Sequence, residues 1–448
     1  KTMFRGIKEL PPGHRAVLDI RSGKLGTEKY WDLRYDYNYS RGLADVTEEL
    51  YELLDDAVMI HCRSDAPLGC HLSGGLDTST VTALAARHRK SLKAFSIKFS
   101  DDPVIDETSY ARAVADHTGA EYVEGSPSAV DMATLLPFHI WNMETPLVTE
   151  GGFSYYTVSK LASRHVKVSL TGHGGDEIFA GYPAQFLASY GSTSMFDFRV
   201  DNEKLMKDTP NTSFIKRLLS GGLHGIYGKI ERNILKKEKT LEEIWVQTHC
   251  GFKAKDNPFL QKGFVDSSRG YSPLEEFLRP LREANTDKPL DRCLYHDLTS
   301  YLPGLLQLED RASMSVSIES RVPLLDYRLV EFLATVPPEQ KVEGLQPKFL
   351  LRKVASRLLP EKVWKRRDKR NFPIPGKFWL SKEMKDLTRD VLTSPECLER
   401  GIFLPKKLND AIDAPDTSTL TMLNLEMWFK LFIDRDPRWI ARAASVAA

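Results

Sequence analysis

Apolar positions recur along this chain with two periods, helical and strand-like, and the two alternate from about Leu43 onward. Val46–Cys62 repeats at helical spacing and predicts an amphipathic helix. Leu68-Gly69-Cys70-His71-Leu72 is a short apolar run that predicts a buried strand. It leads through Ser73-Gly74-Gly75-Leu76-Asp77-Thr78-Ser79 into Thr80–His88, where Val81, Leu84, Ala85 and His88 fall on one helical face. Ala94–Phe99 predicts a second strand, and Glu107–His117 a helix capped by Asp106. Met132–Trp141 and Ser154–Arg164 read as helices, and Val166–Thr171 as a third strand. Strands alternating with helices predict an α/β fold with a doubly wound, mainly parallel sheet and its ligand at the carboxyl ends of the strands. Residues from about 186 to 295 read as mostly helical, so the C-terminal half is expected to be largely helical. Before residue 43, His14–Ile20 and Lys29–Leu33 read as two short strands about the Arg21–Lys24 turn, a hairpin and linker instead of a domain.

Composition narrows the class without changing this picture. A chain of 448 residues is long enough for two or three domains with a large core. The net charge of +1 argues against nucleic acid or a membrane surface as the main partner. No apolar run approaches the roughly 20 residues of a membrane helix. The five cysteines are scattered and form no Cys-x-x-Cys pair, which points to a reducing cytoplasmic setting and away from disulfides or structural zinc.

The chemistry concentrates in the heptad 73–79. A strand, a glycine-rich turn and a helix N-terminus make an anion site: glycines let the backbone approach, N–H groups point into the turn, and the helix dipole favours negative charge. Ser73, Thr78 and Ser79 add hydroxyls, and Asp77 is suited to hold magnesium among phosphates. A Walker loop would carry Gly-Lys-Ser/Thr, with the lysine on the terminal phosphates. Asp77 takes the place of that lysine, and the heptad resembles the pyrophosphatase-type loop of enzymes that split ATP into AMP and pyrophosphate. The plainer alternative is a turn with a helix cap.

Three later segments extend the pattern. Thr171-Gly172-His173-Gly174-Gly175-Asp176-Glu177 again puts small residues and carboxylates at a strand end, with Asp176 placed to join Asp77 on magnesium. Leu308–Met314 and Ile318–Asp326 alternate acids with arginines and read first as a buried ion-pair network that positions helices. Pro347–Lys353 contains Lys348, which from its pattern alone reads as a surface lysine. The basic residues Lys362, Lys365, Arg366, Arg367, Lys369 and Arg370 read as a solvated face, with a cover over bound phosphates as the alternative.

Taken in order, Ser-Gly-Gly-Leu-Asp-Thr-Ser, Gly-His-Gly-Gly-Asp-Glu-Ile-Phe-Ala-Gly-Tyr, Asp-Arg-Ala-Ser-Met, Glu-Ser-Arg-Val-Pro-Leu-Leu-Asp and Lys-Phe-Leu-Leu-Arg-Lys resemble the synthetase domain of glutamine-hydrolysing asparagine synthetases, over roughly residues 45–435. The resemblance implies an adenine nucleotide alpha-hydrolase-like fold for residues 43–448. It implies that Ser73, Gly74, Gly75, Asp77, Thr78 and Ser79 bind the pyrophosphate of ATP. Leu72, Ile97, Thr171 and Gly172 would line the adenosine site, Asp77 and Asp176 would hold Mg2+, and Lys348 would stabilise the transition states. Such enzymes activate a small-molecule carboxylate as an acyl-adenylate, which ammonia or another amine then attacks. A homodimer is compatible with the resemblance.

Two departures qualify what the resemblance implies. His173 stands where family members often carry an acidic or other polar residue, and relatives that close β-lactam rings a tyrosine. An imidazole there could take a proton from the attacking amine or donate a hydrogen bond. Relatives that adenylate a secondary-metabolite or peptide carboxylate are therefore the alternative, and a non-catalytic nucleotide-binding subunit a weaker one. Residues 1–42 resemble the last segment of the family's glutaminase domain. The chain is thus expected to be a fragment or one half of a split enzyme, fed by free ammonia, another amine, or a glutaminase domain or subunit.

Overall fold

In the computed structural model, residues 2–102, 105–146, 151–185, 240–249, 258–267, 271–343, 346–366 and 375–447 are described. The chain opens with β1 (His14–Leu18) and β2 (Leu25–Lys29), an antiparallel hairpin in which His14 pairs with Lys29 and Leu18 with Leu25. Its second strand starts four residues earlier than the sequence pattern suggests. The segment that follows is tied to the helical part of the molecule. Asn38 N donates to Thr335 O at 2.8 Å, and the Tyr37 hydroxyl donates to Asp291 Oδ2 at 2.8 Å. Asp291 also pairs with Lys341 Nζ at 2.6 Å, both side chains being buried.

The alternating section then runs α1 (Leu43–His61), β3 (Leu68–His71), α2 (Leu76–His88), β4 (Lys93–Ile97), α3 (Thr108–Thr118) and β5 (Glu121–Gly125). It continues with α4 (Ala129–Met143), α5 (Gly151–Ala162), β6 (Val168–Leu170) and the single turn α6 (Gly175–Ile178). Val46, Leu50, Leu54, Ala57 and Val58 recur at three to four residues and bury one face of α1. Ser128 and Asp131 form a reciprocal capping box at the start of α4, and Gly119, in the left-handed region at φ 71°, ends α3. Later elements are α7 (Leu302–Met314), β7 (Glu319–Arg321), α8 (Tyr327–Thr335), α9 (Phe349–Ala355), α10 (Thr417–Phe432) and α11 (Pro437–Ala447).

The five strands β3–β7 form one sheet in the order β5-β4-β3-β6-β7, every neighbour parallel. Both faces are covered, as a parallel sheet requires. Cys70 and Leu170 pack with α1, α2, α8 and α9 on one face, and Phe95 packs with Val158 and Ala162 of α5 on the other. A second core joins α4, the start of α5 and α7 to the C-terminal helices α10 and α11. From β3 the chain goes outward to β4 and β5, whereas β6 and β7 lie on its other side. The crevice at a strand-order reversal of this kind is where open α/β sheets bind ligands.

This is the parallel α/β architecture that the alternation predicts. Two strands escape the pattern: β5 and β7 are edge strands whose residues, Glu121 and Glu124 or Glu319 and Arg321, do not form apolar runs. Of the stretch expected to be mostly helical, Leu241–His249, Lys262–Ser267, Pro273–Glu283 and Pro289–His296 are helices, and residues 186–239, 250–257 and 268–270 lie outside the described residues.

Candidate active site

The heptad is the turn between β3 and α2. Gly74 has φ 80°, and a Cβ there would stand 2.7 Å from Ala111 N and 2.8 Å from Tyr110 Cβ. Only glycine allows both the backbone conformation and the close contact with α3. The hydroxyls stitch the turn together. Thr78 Oγ1 accepts from Ser73 N at 3.2 Å and lies 3.0 Å from Ser73 Oγ, which accepts from Gly75 N at 3.3 Å. Ser79 is fully buried in α2, with its N–H bonded to Gly75 O.

The second loop, after β6, is pressed against the first. A Cβ on Gly172 would lie 2.7 Å from Thr78 N, and one on Gly181 would lie 1.8 Å from Asp176 Oδ1 and 2.4 Å from Lys348 Cε. Absent side chains thus bring Asp77 and Asp176 to one point.

Lys348 occupies that point. Its Nζ is 2.9 Å from Asp176 Oδ1 and bonds Asp77 Oδ2. The pattern-based reading as a surface lysine is therefore corrected: the residue is 3% exposed. Its backbone is left-handed, φ 57°, just before α9, and its N–H donates to Ala180 O at 3.1 Å. That local geometry turns the side chain inward toward the two carboxylates. Burial opposes its charge, but Asp176 and Asp77 outweigh burial and raise its pKa above the ordinary lysine value.

His173 follows directly. Its Nδ1 is 2.9 Å from Thr171 Oγ1 and its ring packs 5.0 Å from that of Tyr155. Burial pulls its pKa down to about 4 against the raising influence of Asp176. The imidazole is neutral at pH 7 and a weaker base than an ordinary histidine. Beside it Glu177 is buried and accepts from the Tyr182 hydroxyl at 2.6 Å; burial, with the charge of Asp176, lifts it to about 7.

A cleft opens at the ends of β3 and β4, lined by His71, Leu72, Ser73, Ile97, Glu107 and Val158 among others. Leu72 and Ile97 are thus where an adenosine site was expected. Thr171 and Gly172 are not among its walls: Gly172 packs on the start of α2, and Thr171 N bonds Arg321 O at 2.9 Å. At the rim, Asp106 stands one residue before the N-cap position, Glu107, and accepts from Thr108 N, the first residue of α3, at 2.9 Å. Glu107 does not cap; it pairs with Arg366, whose guanidinium lies 4.2 Å over the Tyr110 ring. Arg366 is therefore largely buried and not part of a solvated face. Arg367, Lys369 and Arg370 lie outside the described residues.

The acid–arginine segment forms ion pairs, but they are partly solvent-exposed and not the buried network expected. Arg311 pairs with Glu144 at 2.9 Å, Arg321 donates to His61 O and Arg63 O, and Arg328 joins Asp326 to Asp56. Glu309 stands apart from the arginines. It is buried and faces His71, a residue that nothing in the strand pattern marks as other than core.

Comparison with known proteins agrees with the motifs at these positions. A family model described as asparagine synthase matches residues 49–430. The glutamine-hydrolysing asparagine synthetase 1 of Bacillus subtilis is 27% identical over 401 residues, covering 87% of this chain and 60% of the relative. Asparagine synthetase 3 of the same organism is 24% identical over 458 residues, covering 99% and 66%. The amidase chyE of Penicillium rubens is 24% identical over 481 residues, covering 100% and 68%. The chain spans 60% and 66% of the lengths of the two synthetases. With the matched region enclosing both glycine-rich loops, the acid–arginine segment and Lys348, the chain belongs to the asparagine synthase family.

Proposed function

We propose that this chain is an ATP-dependent, AMP-forming amide synthetase that joins a small-molecule carboxylate to ammonia through an acyl-adenylate. One observation carries the reading: Lys348 is held between Asp77 and Asp176 where the two glycine-rich loops meet. A carboxylate is a poor electrophile. In the first step its oxygen bonds the α-phosphorus of ATP and pyrophosphate leaves. In the second, ammonia attacks the acyl carbon, loses a proton, and AMP departs.

The chain's residues divide this work. Backbone N–H groups of residues 73–75 and the start of α2 meet the phosphates, and the hydrogen-bonded hydroxyls of Ser73 and Thr78 fix the turn. Leu72 and Ile97 offer the base an apolar wall. The Lys348 ammonium offsets negative charge that grows on phosphorus oxygens and then on the acyl oxygen. His173, neutral at pH 7, hydrogen-bonds near the reacting centre.

Asp77 and Asp176 fit magnesium, since two carboxylate oxygens already converge on one positive centre. Among the described residues no group of three or more His, Cys, Asp or Glu side chains gathers to hold a metal ion. Phosphate oxygens and water would complete the shell. Bound there, Mg2+ supplies charge neutralisation on the phosphates.

Among the described residues no helix is long and apolar enough to cross a membrane. Ammonia is proposed to come free or from a glutaminase domain or subunit, of whose last segment residues 1–42 would be a remnant. A second reading keeps the adenylation and changes the acid or the amine. The amidase of Penicillium rubens, which matches along the whole chain, favours it.

ATP–pyrophosphate exchange with magnesium and a panel of acids tests these readings. Exchange dependent on aspartate supports the first, and exchange dependent only on another acid supports the second. ATP binding with no exchange for any acid would sink both and leave a nucleotide-binding subunit. Asp77→Asn is expected to abolish exchange.

A further inference from the structure

The loop that carries Asp176 ends in a turn supported by a residue outside the glycine-rich motif. After α6 the chain closes with a bond from Gly181 N to Asp176 O at 2.9 Å, and Ala180, between them, sits in the left-handed region at φ 54°. Glycine ordinarily takes that place at a helix end, because a Cβ makes the conformation unfavourable. Ala180 is fully buried, and its carbonyl receives the Lys348 N–H. The turn therefore carries Asp176 at one end and seats Lys348 at the other.

Gln185 holds this turn from inside. Its side chain is fully buried. Oε1 accepts from Tyr182 N at 3.0 Å, while Nε2 donates to Asp176 O at 3.3 Å and to Asp297 Oδ2 at 2.8 Å. A backbone N–H only donates and a carbonyl only accepts, so these partners permit one orientation of the amide. Both amide hydrogens are thereby used. Asp297, also buried, stands 112 positions away and opens the π-helical turn Asp297–Tyr301, where Leu302 N reaches back to Asp297 O. Such wide turns are rare and recur at functional sites. Its other oxygen lies 3.4 Å from His296 Nδ1. A carboxylate acceptor makes the Gln185 bond charge-assisted, stronger than a bond between two neutral groups.

We propose that Gln185 is a positioning residue of the adenylation site. Braced by Asp297, its amide fixes the Asp176 carbonyl and the Tyr182 N–H, and so aims the Asp176 carboxylate at magnesium and keeps the seat of Lys348. This rests on the nucleotide reading above. It adds two residues from outside the motifs, both acting through Asp176 and not on the reacting atoms.

The test exchanges the two polar groups. In the double variant Gln185→Glu with Asp297→Asn, the bond between the positions survives with donor and acceptor reversed, Tyr182 N keeps its acceptor, and the buried charge is conserved. The donor to Asp176 O is lost, since a carboxylate only accepts. Urea unfolding should remain cooperative, whereas the magnesium concentration that half-saturates binding of a ribose-labelled fluorescent ATP should rise about 10-fold. A folded double variant with the wild-type half-saturation overturns the proposal, the result expected if Gln185 only fills space. Gln185→Met, uncharged and of similar length, should shift the value in the same direction, and an unchanged value in that folded variant overturns the proposal too. In the wild-type chain, hydrogen exchange read by mass spectrometry over residues 176–182 should be slow; exchange at the rate of an open loop overturns the proposal without any variant. Failure of the wild-type chain to bind ATP at any magnesium concentration would instead sink the nucleotide reading itself.

Discussion

Lys348 and Asp176 lie 2.9 Å apart although they are 172 positions apart along the chain, and the lysine backbone adopts a left-handed conformation to make the contact. A second carboxylate, Asp77, shares the same ammonium. Removing the cation would leave two carboxylates facing each other with little solvent. Lys348→Met is expected to lower ATP–pyrophosphate exchange at least 100-fold, the scale of losing a preorganised charge stabiliser. It should also reduce stability by about 3–5 kcal/mol, the cost of breaking a buried pair, as read by urea unfolding. A folded variant with unimpaired exchange would refute the assigned role.

Gly74 offers a test of the loop that does not touch a charged group. Gly74→Ala forces a side chain into the left-handed region and against Ala111 N. We expect a loss of about 1–3 kcal/mol in unfolding free energy and weaker ATP binding in a direct titration. The contrasting change, Gly119→Ala, meets no atom within 4 Å; it carries the cost of positive φ alone and should leave ATP binding unchanged.

Acid sensitivity should have a histidine component. His139, in α4, is buried, and burial holds its pKa near 4. The unfolded chain takes up this proton below about pH 6.5, whereas the folded chain does not until about pH 4. The contribution is therefore complete above pH 6.5 and is lost as pH falls toward 4. Between pH 6.5 and 5, one such group accounts for up to about 2 kcal/mol. Urea unfolding of His139→Gln at both pH values should show a smaller difference than the wild type; an equal difference would assign the sensitivity elsewhere.

The Lys341–Asp291 pair supports the N-terminal segment through Tyr37. Asp291→Asn leaves a buried ammonium without its counter-charge and is expected to cost about 3–5 kcal/mol. Tyr37→Phe removes one hydrogen bond and should cost about 1 kcal/mol. Thermal unfolding of the two variants should rank them in that order.

Much of this arrangement is legible in the chain. The alternation of periods yields the parallel sheet because strands covered on both faces must be apolar runs, as Cys70-His71-Leu72 and Val168-Ser169-Leu170 nearly are. Glycines beside Asp77 and Asp176 mark where backbones crowd. The position of Lys348 was not legible from pattern, because a lysine preceding an amphipathic turn looks the same whether its backbone is right- or left-handed. His71 and Glu309 were missed for a related reason. Each occupies a core position in its own element, and only the meeting of β3 with α7 reveals that two polar groups face one another. Arg366 sits in a run of basic residues that hides its partner, Glu107, 259 positions away.

The convergence of Asp77, Asp176 and Lys348 also has a consequence for folding. Asp77 and Lys348 are 271 positions apart, so their contact closes a very long loop and is among the most non-local in the molecule. Contacts of that kind are slow to form, because chain entropy is lost before the contact repays it. The polypeptide can assemble its first strands and helices early and still have no place to hold a nucleotide. Recovery of ATP–pyrophosphate exchange during refolding should therefore lag behind recovery of helical signal, and the triad is a reporter of when α9 has docked on the loops after β3 and β6.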